Sequence, residues 1–109
     1  MVGLTGGEIV GSCFVVSPPR DDDLGTGVAE LVAIYVDPEH WRRGIGSVLL
    51  EAAQARPASS GSTEMSLWTL TENHLAQAFY ERHGWSADGA EEVHPVAKAP
   101  AIRMRRPLP

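Results

Sequence analysis

Hydrophobic residues along the chain form short apolar runs and helical stripes. Glu30 to Val36 contains the apolar run LVAIYV, and a short run of this kind predicts a strand that is buried on both faces. The segment after Gly44 has the i, i+3, i+4, i+7, i+8 spacing of an amphipathic helix, with apolar residues at Ile45, Val48, Leu49, Ala52 and Ala53. Proline disfavours helical geometry in the residue before it, so we expect this helix to end near Arg56-Pro57.

The first part of the chain predicts a β-hairpin followed by a loop. Val2–Leu4 and Glu8–Ser17 are the expected arms, and Gly6-Gly7 can take the positive φ values that a tight turn needs. Ser17–Gly27, SPPRDDDLGTG, is a loop by composition. Its consecutive aspartates raise the alternative of a metal site, but they lack calcium-loop spacing, which favours a solvated loop.

The second half of the chain predicts one more helix and three more strands. In order these are a strand at 64–70, a helix at 73–83, a strand beginning at 85–87, a loop at 89–100 and a last strand at 101–106, whose arginines are expected to alternate outward. Gly84 suits the left-handed position after a helix. Helices between central strands favour an α/β or α+β sandwich, and no linker divides residues 1–109, so we expect a single domain.

The segment Val36 to Leu50 has a composition that favours binding of an anion. The first amides of a helix have no carbonyl partner and lie at the positive end of the helix dipole. Gly44 and Gly46 lack Cβ atoms, which lets phosphates approach the backbone closely. Arg42 and Arg43 add fixed positive charge beside those amides.

Two motifs give the chain its resemblance to the GNAT-type N-acetyltransferases. PEHWRRGIGSVLL resembles the acyl-CoA pyrophosphate loop of that family, with Gly44 and Gly46 at the two small positions. Trp41 stands where the family usually has Gln or Arg, which is a departure from the pattern. NHLAQAFYERHGW resembles the second family motif, with matches at Asn73, Ala76, Phe79, Tyr80 and Gly84. Two motifs in the right order are more specific than a lone Gly-x-Gly.

The resemblance implies a fold and a cosubstrate. The expected fold is an acyl-CoA N-acyltransferase-like mixed sheet of about six strands flanked by two main helices. The cosubstrate is acetyl-CoA, and the loop residues that would hold its pyrophosphate are Arg42, Arg43, Gly44, Ile45, Gly46 and Ser47. Backbone groups of Ile34, Tyr35 and Val36 would meet the pantetheine arm, and one of these amides would polarise the thioester carbonyl. In the second motif, Asn73 and Phe79 are the cofactor-binding candidates.

The resemblance also implies two catalytic residues, Tyr80 and Glu30. A phenol has an ordinary pKa of about 10, so Tyr80 stays protonated and can donate to the departing thiolate. Its alternative role is a core aromatic. Glu30 would accept the proton of the amine through water, and its alternative is an exposed glutamate at the strand end. Asn73 would contact CoA, cap its helix, or do both.

Other polar residues have simpler interpretations. His40 has suitable acid–base chemistry but lies in the phosphate loop, which favours a surface residue. His74 and His83 are expected at the surface, and the histidines show no metal-ligand spacing with Cys13. Glu91 and Glu92 would attract an ammonium group if their loop borders the acceptor, or would simply be solvated. Cys13 has no paired base in the sequence, so a cysteine nucleophile is not expected.

Composition narrows the partners of the chain. The 109 residues carry a net charge of −5, which argues against general nucleic-acid binding and is compatible with an amine acceptor or with solubility alone. No apolar run is long enough for a membrane span, and no signal peptide pattern is present at Met1. With one cysteine and no internal disulfide, the cytoplasm is the expected compartment.

Two alternatives to an active N-acetyltransferase remain at this stage. The resemblance covers roughly residues 2–106 but does not include the strand and helices that usually precede the hairpin in this family. Three explanations are open: a shortened chain, a misplaced start codon or a naturally minimal family member. A chain of this kind would bind CoA without transferring the acetyl group, and dimerisation would cover its exposed sheet edge. A nucleotide-binding module is disfavoured, because the loop lacks the Lys-Ser/Thr pair of a P-loop and the third glycine of a dinucleotide fold.

Overall fold

The computed structural model describes residues 11–16, 19, 21, 23–25, 27–36 and 44–108. The predicted first arm of the hairpin and its turn lie outside these residues. The described elements are β1 (Gly11–Val16), β2 (Val28–Val36), α1 (Ile45–Ser59), β3 (Glu64–Leu70), α2 (His74–Arg82), β4 (Ser86–Val93) and β5 (Pro100–Pro107). None of the described helices has the length and apolar character needed to cross a membrane.

The five described strands form one mixed sheet in the order β1-β2-β3-β5-β4. The β2–β3 pair is parallel, with α1 as its crossover connection, and the other pairs are antiparallel. A parallel pair needs such a crossover because the chain must return to the same end of the sheet. The expected mixed sheet with two main helices is confirmed.

Both helices pack on the same face of this sheet. Leu50 and Ala53 of α1 and Tyr80 of α2 belong to one buried cluster with the strand residues Ala29, Leu31, Met65, Leu67 and Met104. Successive side chains of a strand point to opposite faces. Glu30, Ser66 and Arg103, which alternate with those core residues, therefore point to the other face. We call the two sides the helix face and the open face.

The buried stripe of α1 differs from the predicted one. Val48 is 66% exposed, whereas Leu50 is fully buried. The stripe is shifted by about one residue and continues through the buried Gln54 and Pro57. The helix also runs past Pro57 to Ser59, so the expected end at Arg56-Pro57 is wrong. A proline in the last turn removes only one backbone donor, and the amides of Ser60 and Ser62 bond to the Pro57 carbonyl at 3.1 and 2.9 Å.

The strand that begins after Trp85 is longer than the sequence indicates. β4 continues to Val93, through residues 89–93 that were predicted as a loop. Its pairing with β5 shifts between Ala87 and Glu91, and Gly89 in this bulge has φ of +92°. Glycine tolerates that conformation and therefore keeps the strand in the sheet instead of ending it.

Candidate active site

The parallel strands β2 and β3 separate within the sheet. Their pairing runs from Val28 opposite Glu64 to Leu31 opposite Leu67. Beyond that point β2 still pairs with β1 up to Val36, and β3 still pairs with β5 up to Leu70. Among the described residues, no β2–β3 pairing follows Leu31. The two strands therefore form a fork, and Ile34, Tyr35 and Val36 have no ladder partner in β3.

The N-terminus of α1 follows the β2 arm of this fork along the chain. Gly44 has φ of +76°, and the space where its Cβ would lie is empty within 4 Å. Its carbonyl accepts the first helical bond, from the Val48 amide at 3.2 Å. The amides of Ile45, Gly46 and Ser47 therefore belong to the first helical turn, which lacks carbonyl partners within the helix. Arg42 and Arg43 lie outside the described residues.

A histidine joins the two helices at this end of the site. The Nε2 atom of His83 lies 2.9 Å from Ser47 Oγ, and its Nδ1 lies 2.8 Å from the Phe79 carbonyl oxygen. A carbonyl only accepts hydrogen bonds, so Nδ1 carries a hydrogen. In the neutral ring Nε2 then accepts, and the Ser47 hydroxyl donates to it. The sequence predicted a surface histidine here, because its spacing does not reveal a contact between two helices.

Tyr80 lies in the core beside Phe79. The Tyr80 residue is only 8% exposed, and its ring meets those of Phe79 and Trp85 at centroid distances of 5.4 and 5.9 Å. Burial raises the pKa of Tyr80 above its ordinary value. A phenol in this position stays protonated and can act as a proton donor. The core role and the proton-donor role are therefore compatible.

The predicted cap at the start of α2 is present. The Asn73 side chain accepts a hydrogen bond from the Ala76 amide at 3.1 Å. Gln77, which was not singled out from the sequence, donates from its amide nitrogen to the carbonyls of Leu70 and Thr71 at 3.1 and 2.8 Å. These bonds fix α2 against the end of β3, the second arm of the fork.

Glu30 lies on the open face and is not an exposed strand-end residue. Glu30 is the third residue of β2 and is only 1% exposed. It pairs with Ser66 of β3, one position before the point where the two strands separate. Tyr80 belongs to the helix-face cluster that contains those last paired residues, Leu31 and Leu67. The two predicted catalytic side chains therefore approach the fork from opposite faces of the sheet.

A cavity of about 370 Å³ lies on the open face at the fork. Val32 and Trp68, the first residues beyond the paired segment, line it together with Glu30. The rest of the lining comes from a loop before β2, from β4 and from the β4–β5 turn, as Asp21, Glu92, His94, Pro95 and Val96. Glu92 thus belongs to a strand that borders a cavity, whereas Glu91 lies on the other side of that strand.

Next to this cavity, an arginine is buried among carboxylates. Arg103 is 5% exposed, which contradicts the expectation that it points outward. Its guanidinium bonds to both oxygens of Asp23 at 2.8 Å and to Asp88 at 2.7 Å. It also lies 3.7 Å from Asp21 and 5.6 Å from the Trp68 ring centroid. The aspartate loop is therefore an ion-pair partner, which the sequence could not indicate because Asp23 and Arg103 are 80 positions apart.

These contacts shift the pKa values of the residues in the ion pairs. Hydrogen bonding to Arg103 lowers the pKa of Asp23. Burial alone would raise the pKa of Asp88, but hydrogen bonds from the Ala90 amide and Arg103 bring it below its ordinary value. The hydrogen bonds that Arg103 donates to Asp23 and Asp88 raise its own pKa. All three groups are therefore more firmly charged than in water.

The sequence model of the acetyltransferase (GNAT) family matches residues 1–85. The chain therefore belongs to the GNAT family. A mycothiol acetyltransferase of Acidimicrobium ferrooxidans is 34% identical over 96 residues, which cover 87% of this chain and 30% of that protein. An uncharacterized N-acetyltransferase of Methanocaldococcus jannaschii is 40% identical over 58 residues, which cover 53% of this chain and 26% of that protein. The chain thus spans less than a third of the curated relatives it matches.

Solved structures of acetyltransferases have the same fold. Ard1 from Thermoplasma volcanium aligns with a TM-score of 0.81 at 23% identity, covering 95% of this chain and 66% of that one. The PaiA N-acetyltransferase from Thermoplasma acidophilum, solved in complex with coenzyme A, aligns with a TM-score of 0.72 at 20% identity. That alignment covers 95% of this chain and 57% of the other. At these identities the likeness concerns the fold.

Proposed function

We propose that this chain transfers an acetyl group from acetyl-CoA to a primary amine by direct attack in a ternary complex. The observation that carries the proposal is the fork between β2 and β3. Its β2 arm keeps backbone groups without a ladder partner in β3, and such groups can bond an amide-containing ligand arm. Acetyl-CoA has that arm, and when bound it supplies the acetyl group and a thiolate leaving group.

The residues at the helix start fit the other end of the same ligand. The open space at Gly44 and the amides of the first turn of α1 suit a pyrophosphate group. In this proposal Gly44, Ile45, Gly46 and Ser47 contact the phosphates, with Arg42 and Arg43 adding charge. Ile34, Tyr35 and Val36 hold the pantetheine arm, and Asn73 and Phe79 complete the cofactor side.

The catalytic groups act from the two faces of the fork. Glu30 accepts the proton that the ammonium must lose before the nitrogen can attack, directly or through water. Tyr80 donates its phenolic hydrogen to the departing sulfur, since burial keeps the phenol protonated. Both groups are fixed in buried positions, so they need little rearrangement during transfer. We further propose that residues 1–109 act as one domain, in the cytoplasm.

Calorimetric titration with acetyl-CoA tests the cofactor side, with ATP and NAD as controls. We expect binding of acetyl-CoA alone. Gly46→Leu should abolish acetyl-CoA binding, because a side chain in the first turn of α1 obstructs the phosphates. The control is Glu51→Leu, which changes an exposed residue of the same helix and should bind acetyl-CoA like the parent. Unchanged affinity of Gly46→Leu would count against the phosphate site.

Release of free thiol on addition of amines tests the transfer step. Binding of acetyl-CoA together with amine-dependent thiol release is the expected result. Binding without release from any amine would indicate the alternative, a CoA-binding module that is catalytically inactive.

A further inference from the structure

We propose that the open-face cavity binds the acetyl acceptor and selects an amine that carries a second positively charged nitrogen and no carboxylate. This inference rests on the acetyl transfer proposed above and adds the class of acceptor. The cavity holds about 370 Å³, which suits a small flexible molecule.

The position of the cavity places its occupant beside the reacting group. Val32 and Trp68 are the first residues after the paired segment of the fork, and both line the cavity. Glu30, the proposed proton acceptor, lines it as well. An amine in this cavity therefore lies next to the gap between the strands, on the side opposite Tyr80.

The charged residues of the cavity wall favour a cation. Asp21, Glu30 and Glu92 are acidic, and no lysine or arginine belongs to the described lining. Arg103 lies 3.7 Å from Asp21, but its guanidinium bonds more closely to Asp88 and Asp23, at 2.7 and 2.8 Å. The wall therefore attracts protonated amines and repels carboxylates.

Two of these carboxylates come from separate elements. Glu30 belongs to β2 and has 1% exposure, while Glu92 is an exposed residue of β4. In this arrangement Glu30 meets the nitrogen that reacts, and Glu92 meets the second charged nitrogen. A monoamine can satisfy only one of the two, and an amino acid brings its own carboxylate into an acidic site.

The walls of the cavity are fixed before a ligand arrives. Trp68 donates from Nε1 to Asp21 at 2.9 Å, which fixes the orientation of its ring. The His94 Nδ1 atom accepts from the amides of Val96 and Ala97 at 3.2 and 3.0 Å, which closes the β4–β5 turn. A preorganised site loses less entropy on binding and discriminates more sharply between ligands.

A buried hydroxyl on the same face also lacks a partner. Ser66 is fully buried, its Oγ has no hydrogen-bond partner in the described part of the chain, and it pairs with Glu30 across the ladder. A buried polar group of this kind is costly unless a ligand or water satisfies it. Ser66 does not belong to the described lining of the cavity, so this hydroxyl marks a buried polar position beside Glu30 and not a contact with the occupant.

Three amines with the same four-carbon backbone provide the test. They are putrescine, n-butylamine and γ-aminobutyrate, whose second ends are an ammonium, a methyl and a carboxylate. With saturating acetyl-CoA, we expect kcat/KM for putrescine to exceed that of butylamine by about tenfold, and γ-aminobutyrate to fall about tenfold below butylamine. Added salt should reduce both differences.

Two neighbouring glutamates supply the variant and its control. Glu92→Gln should reduce the putrescine-to-butylamine ratio to about two. Glu91→Gln removes the same charge from the opposite side of β4 and should keep the parent ratio. Equal loss of selectivity in the two variants would overturn the role of the cavity, because it would reduce the effect to overall charge.

The outcomes separate this inference from the function on which it rests. Equal kcat/KM for all three amines, or a preference for γ-aminobutyrate, overturns charge selection while acetyl transfer stands. If no amine is acetylated, the proposed transfer is wrong. Titration of the CoA-loaded chain with the same amines then tests separately whether the cavity binds a diamine. Binding of putrescine no tighter than butylamine then overturns the cavity assignment too.

Discussion

The two faces of the central sheet are built from opposite kinds of residue, although the same strands supply both. On the helix face, Leu31, Leu67 and Met104 pack with α1 and α2 into an apolar cluster. On the open face, the neighbouring positions Glu30, Trp68 and Arg103 form a charged and aromatic surface. The strand alternation that places one set in the core necessarily places the other set on the opposite side.

The contrast separates two tasks. The helix face holds the fold together through apolar burial, and it brings the N-terminus of α1 to the phosphate side of the proposed site. The open face contributes charges that are held in place by one another, and those charges decide which acceptor is favoured. Apart from Glu30, the proposed proton acceptor, substitutions on the open face should therefore change ion pairing and selectivity, whereas those on the helix face should change stability, cofactor binding or transfer.

The largest expected effect comes from the one helix-face residue with a proposed chemical role. Tyr80→Phe removes only the hydroxyl and leaves the ring in the core. We expect kcat to fall about a hundredfold, since loss of a general acid costs that order of rate. Affinity for acetyl-CoA, measured by titration, should stay within about twofold of the parent because the cofactor contacts are elsewhere. A kcat equal to that of the parent would remove Tyr80 from the mechanism.

The next effect compares the same substitution on the two faces. Arg103→Met leaves the partly buried carboxylates of Asp21 and Asp88 without their partner, and we expect the free energy of unfolding to fall by about 2–3 kcal/mol. Arg106→Met removes one side-chain hydrogen bond on the helix face, from Nε to Gln54 at 3.0 Å, and should cost about 1 kcal/mol. Urea denaturation of both variants measures the difference. Equal losses would show that the ion pairs of the open face add no particular stability.

These effects depend on contacts that the sequence only partly indicates. The strand at 64–70 and the helix ending before Gly84 were predictable from local patterns, because periodicity and caps act over a few residues. Gly84 indeed has φ of +89°. The fork could not be predicted from the sequence, since the point where two strands separate depends on register. The Arg103 ion pairs join residues far apart in sequence, and no local pattern encodes them.

Lowering the pH weakens the ion pairs of the open face more mildly than replacing Arg103 does. The pKa values of Asp23 and Asp88 are lowered in the folded chain, so their stabilising contribution is complete above the ordinary carboxyl pKa of about 4. It is lost as pH falls below that value through the lowered pKa. We expect the free energy of unfolding to decrease in this range, and to decrease less steeply in Arg103→Met. Parallel pH profiles of the parent and the variant would contradict the assignment.

The smallest effect concerns the histidine that joins the two helices on the cofactor side. His83 bonds to the Ser47 hydroxyl through Nε2 and to the Phe79 carbonyl through Nδ1, so we expect it to position the first turn of α1. His83→Ala should weaken acetyl-CoA binding about fivefold, which corresponds to the loss of about one hydrogen bond, while kcat at saturation stays unchanged.

Ser47→Ala removes the same hydrogen bond from the other side. If this hydrogen bond is responsible for both effects, the loss of acetyl-CoA affinity in the double variant should be smaller than the product of the two single losses. The corresponding coupling energy is about 1 kcal/mol. Additive losses would mean that each side chain acts alone, and the cofactor side would then rely on the backbone of α1 without support from α2.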